Sequence, residues 1–97
     1  MTNADIKTMI SDMVNDVDVL NRIIILEGDE FADGFVGLTI DNHAVYSFER
    51  LVKSLCNANA DWSELDAIDW LDYNTIRALP YMSSEGNVPV IIHEFSN

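Results

Sequence analysis

The strongest fold signal lies in residues 35–56, F-V-G-L-T-I-D-N-H-A-V-Y-S-F-E-R-L-V-K-S-L-C. Its first part, Phe35 to Ile40, is rich in β-branched and aromatic residues and predicts a strand. Asp41 and Asn42 tolerate tight or left-handed backbone, so they predict a turn. Ala44 to Tyr46 then returns as the second arm of a β-hairpin.

A helix is predicted directly after this hairpin. Ser47 is placed to cap it. Its apolar residues recur every three or four positions and form one stripe: Phe48, Leu51, Val52, Leu55 and Cys56. This spacing predicts an amphipathic helix that ends near Asn57 and Asn59. Since Cys56 lies on the apolar stripe, we interpret it as a buried, inert thiol and not as a nucleophile.

The N-terminal part of the chain predicts another amphipathic helix. Thr2 or Asn3 can cap it, and the apolar positions that define its face are Ile6, Met9, Ile10, Met13, Val14 and Val17. Residues 17–26 fit either a longer helix or a short strand, because Ile23 to Ile25 are β-branched. We favour continued helix. The acidic, glycine-bounded residues 27–34 predict a loop.

The C-terminal part predicts a third helix and a third strand. Ser63 and Asp66 form an acidic capping box at the start of the helix, which we expect to run to Leu79 and stop at Pro80. Residues 89–95 are rich in β-formers and begin at a proline, which a strand tolerates. The predicted fold class is therefore α+β: one domain, residues 1–97, with a small, mostly antiparallel three-stranded sheet packed against about three helices.

The third helix is predicted to present a partner-binding sector. At 100° per residue, an aromatic and polar sector adjoins an acidic one; the first comprises Trp70, Tyr73, Asn74 and Arg77, and the second Asp66, Asp69 and Asp72. Trp, Tyr and Arg are enriched at the energetic centres of protein interfaces. The competing interpretation is that Trp70 and Tyr73 cover the sheet edge or the first helix.

A second acidic cluster, Asp29, Glu30 and Asp33, has three interpretations: cation binding, imitation of a phosphate backbone, or a solvated surface. Asp29, Asp33 and Gly34 match positions of a calcium-binding loop. Phe31 and Ile40, however, occupy positions that must supply oxygen ligands. We therefore do not predict a calcium site. The cluster joins the predicted partner-binding residues.

Composition limits the classes of function. Seventeen Asp and Glu against five Lys and Arg give a net charge of -12. This charge repels nucleic acid and anionic lipid, so we expect neither direct nucleic-acid binding nor membrane binding, and a basic protein as the charged partner. A single cysteine and the lack of a signal-like apolar stretch predict a cytoplasmic protein.

Catalytic and metal-binding patterns are missing from the sequence. The chain contains no phosphate-binding glycine loop and no nucleophile-elbow motif. His43 and His93 lack the spacing of a metal site, and we interpret them as a turn residue and a sheet-face residue. We predict a protein that is not an enzyme and has no cofactor and no metal.

Three segments resemble a group of small acidic proteins encoded by bacteriophages and prophages. They are L-x-G-D-E-F-A-D-G-F-V-G-L at residues 26–38, A-V-Y-S-F-E-R-L-V at residues 44–52, and A-I-D-W-L-D-Y-N-T-I-R-A-L-P-Y with P-V-I within residues 67–91. The resemblance covers about residues 26–95. Tyr73-Asn74 and Pro89 match the landmarks of the group, whereas residues 77–81 depart from the glycine-rich turn of many relatives.

The resemblance implies a phage setting and the cytoplasm of an infected bacterium, without an assigned activity. Together with the charge, it suggests an inhibitor of a host nucleic-acid-processing defence system, of the anti-CRISPR or anti-restriction type. One alternative is a structural or regulatory phage module that self-associates, for example as a homodimer. The other is a small metal-dependent or hydrolytic enzyme.

Overall fold

The computed structural model describes residues 1–95. It contains four α-helices, two 3-10 helices and three strands. The α-helices are α1 (Asn3–Met13), α2 (Val17–Leu20), α3 (Phe48–Ala58) and α4 (Glu64–Asn74). The strands are β1 (Phe35–Leu38), β2 (Ala44–Ser47) and β3 (Val90–Ile92), and the 3-10 helices span Asp29–Gly34 and Ile76–Met82. The predicted α+β class is confirmed.

The three strands form one mixed sheet in the order β1-β2-β3. β1 and β2 are antiparallel and pair Leu38 with Ala44. β2 and β3 are parallel and pair Val45 with Val90. The sheet is thus mixed, whereas the sequence suggested a mostly antiparallel one. A parallel pair requires a long connection, and here α3, α4 and the second 3-10 helix lie between β2 and β3.

The hairpin turn is held by local hydrogen bonds. The Thr39 hydroxyl donates to the Asp41 carboxylate at 2.6 Å and accepts from the His43 amide at 2.9 Å. The first of these bonds holds the pKa of Asp41 below its usual value. Asn42 adopts the predicted left-handed backbone, with φ of 66°. β1 ends two residues before the predicted Ile40, whose side chain is fully exposed.

The prediction of continued helix over residues 17–26 is wrong beyond Leu20. The Asp16 side chain accepts hydrogen bonds from the backbone amides of Asp18 and Val19. It therefore caps a new short helix, α2, that is separate from α1. After that helix the backbone pairs with the loop before β3: the Asn87 amide donates to the Arg22 carbonyl at 2.7 Å. This nonlocal pairing overrides the helical periodicity.

Three further boundaries differ from the sequence prediction. Residues 29–34 form a 3-10 helix within the predicted loop. α4 ends at Asn74, before the predicted Leu79. Pro80, the predicted stop, lies inside the second 3-10 helix, which continues to Met82. The Asn74 side chain donates to the Trp70 carbonyl, a side-chain bond that competes with regular helix bonding at this point. β3 covers only three residues of the predicted 89–95 strand.

Tyr46 lies at the centre of the core. Its side chain is fully buried on β2, and its ring meets that of Phe35 edge to face at 5.8 Å. The Leu26 amide donates to the Tyr46 hydroxyl at 3.0 Å. Burial raises the pKa of the Tyr46 hydroxyl, which therefore stays neutral. This one side chain ties the central strand to the segment that precedes the first 3-10 helix.

Two carboxylates connect the start of α3 to the segment after β3. Arg50 donates to both oxygens of Glu94, at 2.8 and 3.0 Å. The Glu49 carboxylate lies 2.7 Å from Nδ1 of the His93 ring and accepts a hydrogen bond from the Glu94 backbone amide. The Arg50 hydrogen bonds hold the pKa of Glu94 below its usual value. These contacts fasten the parallel edge strand to α3.

Tyr46→Phe tests the buried hydrogen bond. Because the Leu26 amide would lose its partner inside the core, we expect the free energy of unfolding to fall by about 1–3 kcal/mol. Urea unfolding followed by circular dichroism measures it. Tyr81→Phe removes the same hydroxyl from an exposed position and is the control. Equal stability of the wild type and both variants would show that the bond is not needed.

Glu94→Gln tests the contact between α3 and the segment after β3. A lowered carboxyl pKa stabilises the folded state above the usual pKa, and this contribution is lost as pH falls through the lowered value. We expect the variant to unfold at lower urea than the wild type at about pH 7, and the two to converge at acidic pH once Glu94 is protonated in the folded wild type. Glu85→Gln carries the same charge change. An equal effect of Glu85→Gln would attribute the result to net charge.

Candidate functional site

Trp70 lies in an aromatic cluster on the inner side of α4. Its ring stacks on Phe31 of the first 3-10 helix, with centroids 6.0 Å apart, and meets Trp62 at 6.1 Å. The side chain is half-buried. Trp70 therefore packs between two parts of the chain, although its partners are the first 3-10 helix and Trp62 and not the sheet edge or the first helix of the competing interpretation. Its accessible edge, with Glu30 and Trp62, lines an open cleft of about 330 Å³.

Tyr73 and Arg77 lie on the outside of α4 and the helical turn that follows it. Tyr73 is 69% exposed. The Arg77 guanidinium lies 5.4 Å from the centre of the Tyr73 ring, and it is 3.6 Å from the Asp72 carboxylate. These weak surface contacts leave the Tyr73 ring accessible. Asn74 is also exposed, but its amide is bonded to the backbone of its own helix.

The outer face of α4 combines large apolar side chains with carboxylates. Leu65, which is 66% exposed, and Tyr73 are eight residues apart, and Asp69 lies midway between them. Residues at this spacing follow one line along a helix. Asp66 and Asp72 are exposed beside that line. We call Leu65, Asp66, Asp69, Asp72 and Tyr73 the α4 acidic face.

Local hydrogen bonds explain how the sequence builds this face. Ser63 and Asp66 form the predicted capping box, with the Ser63 amide donating to the Asp66 carboxylate at 2.9 Å. Ala67 and Leu71 are fully buried and turn the opposite side of α4 toward α3. Leu65 was not among the residues predicted to bind a partner. The available signal was its position off the buried stripe, in line with Asp69 and Tyr73.

The second acidic cluster has a structural role in two of its three residues. The Asp29 carboxylate accepts a hydrogen bond from the Asn3 backbone amide at 2.9 Å, and the Asp33 carboxylate accepts one from the Met1 amino group at 3.0 Å. The hydrogen bond that this amino group donates to Asp33 raises its pKa. These carboxylates hold the beginning of α1 against the first 3-10 helix. Glu30 alone reaches the cleft beside Trp70.

The two histidines and the cysteine have separate surroundings. His43 contacts the Val88 carbonyl at 2.7 Å, and His93 contacts Glu49. Cys56 is half-buried, with its sulfur 3.6 Å from the Ser63 carbonyl. Within residues 1–95, no group of three or more His, Cys, Asp or Glu side chains is arranged to hold a metal ion.

The cleft next to Cys56 is open and bordered mainly by apolar groups. It has a volume of about 400 Å³ and lies between α3 and α4. Phe48, Val52 and Ile68 form much of its lining, with Glu49 and Lys53 at the rim. This arrangement can hold an apolar side chain but does not pair a nucleophile with a base among these lining residues.

No family model, curated protein or solved structure matches this chain. In the part of the chain that the structure describes, there is also no helix with the length and hydropathy needed to cross a bilayer.

Trp70→Ala and Tyr73→Ala distinguish the packed aromatic residue from the exposed one. We expect Trp70→Ala to lower the free energy of unfolding by about 3 kcal/mol, because it removes the ring that Phe31 and Trp62 pack against. Tyr73→Ala is expected to change it by less than about 0.5 kcal/mol. Chemical denaturation of the two variants measures the difference. Similar losses in both would mean that Tyr73 also supports the core.

Proposed function

We propose that this chain is a non-catalytic protein that binds a basic surface of another protein through the α4 acidic face. The observation that carries the proposal is the exposure of Leu65 and Tyr73 on the same helix face as Asp69 and Asp72. Exposed apolar side chains supply contact area that excludes water, and the surrounding carboxylates select a cationic partner.

The net charge supports a basic partner. At -12, the chain attracts a cationic surface over a distance of about one Debye length, roughly 8–10 Å at physiological salt. This attraction accelerates association, whereas the contacts of Leu65 and Tyr73 act on dissociation. Arg77 already pairs with Asp72 on one side, so Asp72 is partly neutralised. Compared with Asp72, Asp69 therefore attracts a cationic partner more strongly.

The partner that we propose is a host nucleic-acid-processing protein of a bacterial defence system. Such proteins carry basic clefts for phosphate backbones, and an exposed row of carboxylates competes for those clefts. The resemblance to acidic phage and prophage proteins supports this setting and the cytoplasm of an infected bacterium. In this proposal, the chain acts by occupying the cleft and does not bind nucleic acid itself.

Self-association is a second candidate, and the edge of the sheet favours it. β3 is an edge strand whose Val90 and Ile92 are each more than one-third exposed. An apolar edge strand is a template for pairing with a second copy, which would give a homodimeric structural or regulatory module. The charge of -12 on each copy opposes this association at low salt. Light scattering at high concentration and raised salt tests it.

A charge-matched pair of variants tests the proposed face. Asp69→Asn/Tyr73→Ala removes one carboxylate and one apolar anchor, and Glu85→Gln/Tyr81→Ala makes the same kind of change on other exposed residues. Immobilised wild-type chain should enrich a basic nuclease or nucleic-acid-binding defence protein from host extract at low salt. The purified candidate is then titrated with each variant.

We expect Asp69→Asn/Tyr73→Ala to weaken binding by about 100-fold, consistent with about 1.4 kcal/mol for each lost group, and to relieve inhibition of nucleic-acid cleavage. The control pair should bind as the wild type does. Equal weakening by both pairs would assign binding to net charge alone. A partner bound without any effect on its nucleic-acid chemistry would contradict the inhibitory role.

A further inference from the structure

A separate apolar groove lies between α1 and β1. Met9 and Met13 form its wall on α1, and Val36 and Leu38 lie on β1. The groove has a volume of about 210 Å³, below the ~300–1,000 Å³ of typical small-molecule sites. It matches the size of one or two protein side chains. It shares no residue with the α4 acidic face.

The methionines of this groove are accessible to a partner. Ile6 and Ile10 make the buried contacts of α1, and Met9 and Met13 lie one step around the helix from them, 43% and 73% exposed. Val36 is 39% exposed on the opposite wall. Methionine is flexible and polarisable, so a pair of accessible methionines can adapt to an apolar side chain of the partner.

The rim of the groove is acidic on the α1 side. Asp5 lies four residues before Met9 and Asp12 three residues after it, which places both next to the methionines on the helix surface. Both carboxylates are on exposed residues. Lys7 falls on the other flank of the buried Ile6 and Ile10 when α1 is viewed down its axis. The groove therefore presents an apolar floor beside negative charge.

Charge decides which occupant fits this rim. A second copy of the chain would bring another -12 against the same carboxylates, which opposes self-association here. A cationic segment with a large apolar side chain complements both features. We propose that the groove between α1 and β1 binds such a segment of a partner protein, with the apolar side chain between Met9 and Val36 and its basic neighbours at Asp12. The inference stands independently of the α4 acidic face.

The probe for the test is a synthetic peptide of leucine and lysine that forms a helix with all leucines on one face. A scrambled peptide of the same composition is its control. The chain is labelled with ¹³C in its methionine methyl groups, which gives four signals, from Met1, Met9, Met13 and Met82. We expect the amphipathic peptide to shift the signals of Met9 and Met13 and to leave that of Met82, in the second 3-10 helix, unchanged.

Variants identify the binding surface. Met13→Gln is expected to weaken peptide binding about tenfold, the loss typical of one apolar contact, while Ile40→Gln on the hairpin has no effect. Asp12→Asn should weaken it at low salt and much less at high salt. Circular dichroism verifies that each variant is folded.

Three results would overturn the inference. Equal binding of the scrambled peptide, with no shift at Met9 or Met13, would leave only nonspecific charge attraction. Loss of binding in Leu65→Gln but not in Met13→Gln would place the peptide on the α4 acidic face. Movement of the Met9 and Met13 signals with chain concentration alone would make the groove a contact between two copies.

Discussion

The buried hydroxyl of Tyr46 is the polar constraint on which much of this small core depends. The core has room for few large side chains, and this one lies on the central strand with its hydroxyl committed to the Leu26 amide. That bond holds the segment around Leu26 to the central strand. The first 3-10 helix follows a few residues later, and Phe31 on it then sets the position of Trp70 on α4. A single buried hydrogen bond thus connects the sheet to the inner side of α4.

The carboxylates fall into two groups: some accept hydrogen bonds within the fold, and others are exposed on the surface. Asp16 and Asp66 cap helices, and Asp29 and Asp33 hold the start of α1. Each of these accepts hydrogen bonds from backbone or terminal nitrogen, so its carboxylate is engaged within the fold. Asp69 is exposed on the outer face of α4. We infer that exposed carboxylates such as Asp69, which lie beside accessible apolar side chains, contact a partner protein.

Local signals predicted most of the elements. The Ser47 cap, the Ser63–Asp66 capping box and the left-handed turn at Asn42 depend on residues within a few positions of one another, and all three occur as predicted. The parallel direction of β3 and the end of the helical segment after Leu20 involve pairing between distant segments, such as Val45 with Val90 and Arg22 with Asn87. Hydrophobic periodicity carries no information about such pairing.

The same distinction applies to the candidate site. The helical period separates Asp69 from the buried stripe, whereas for Tyr73 it left both a binding and a covering role open; the structure shows Tyr73 69% exposed. The packing of Trp70 does not follow from the sequence, because its partner Phe31 lies on an element that the sequence presented as a loop. The methionine groove was hidden for another reason: Met9 and Met13 fit the apolar face of α1, and only the tertiary arrangement shows how much of them stays exposed.

The central claim is that the chain works by electrostatically guided contact with a basic protein. Stopped-flow measurement of its association with the purified partner over a range of salt concentrations tests this most directly. We expect the association rate constant to fall steeply as salt increases, while the dissociation rate constant changes little. An association rate that is independent of salt would contradict it.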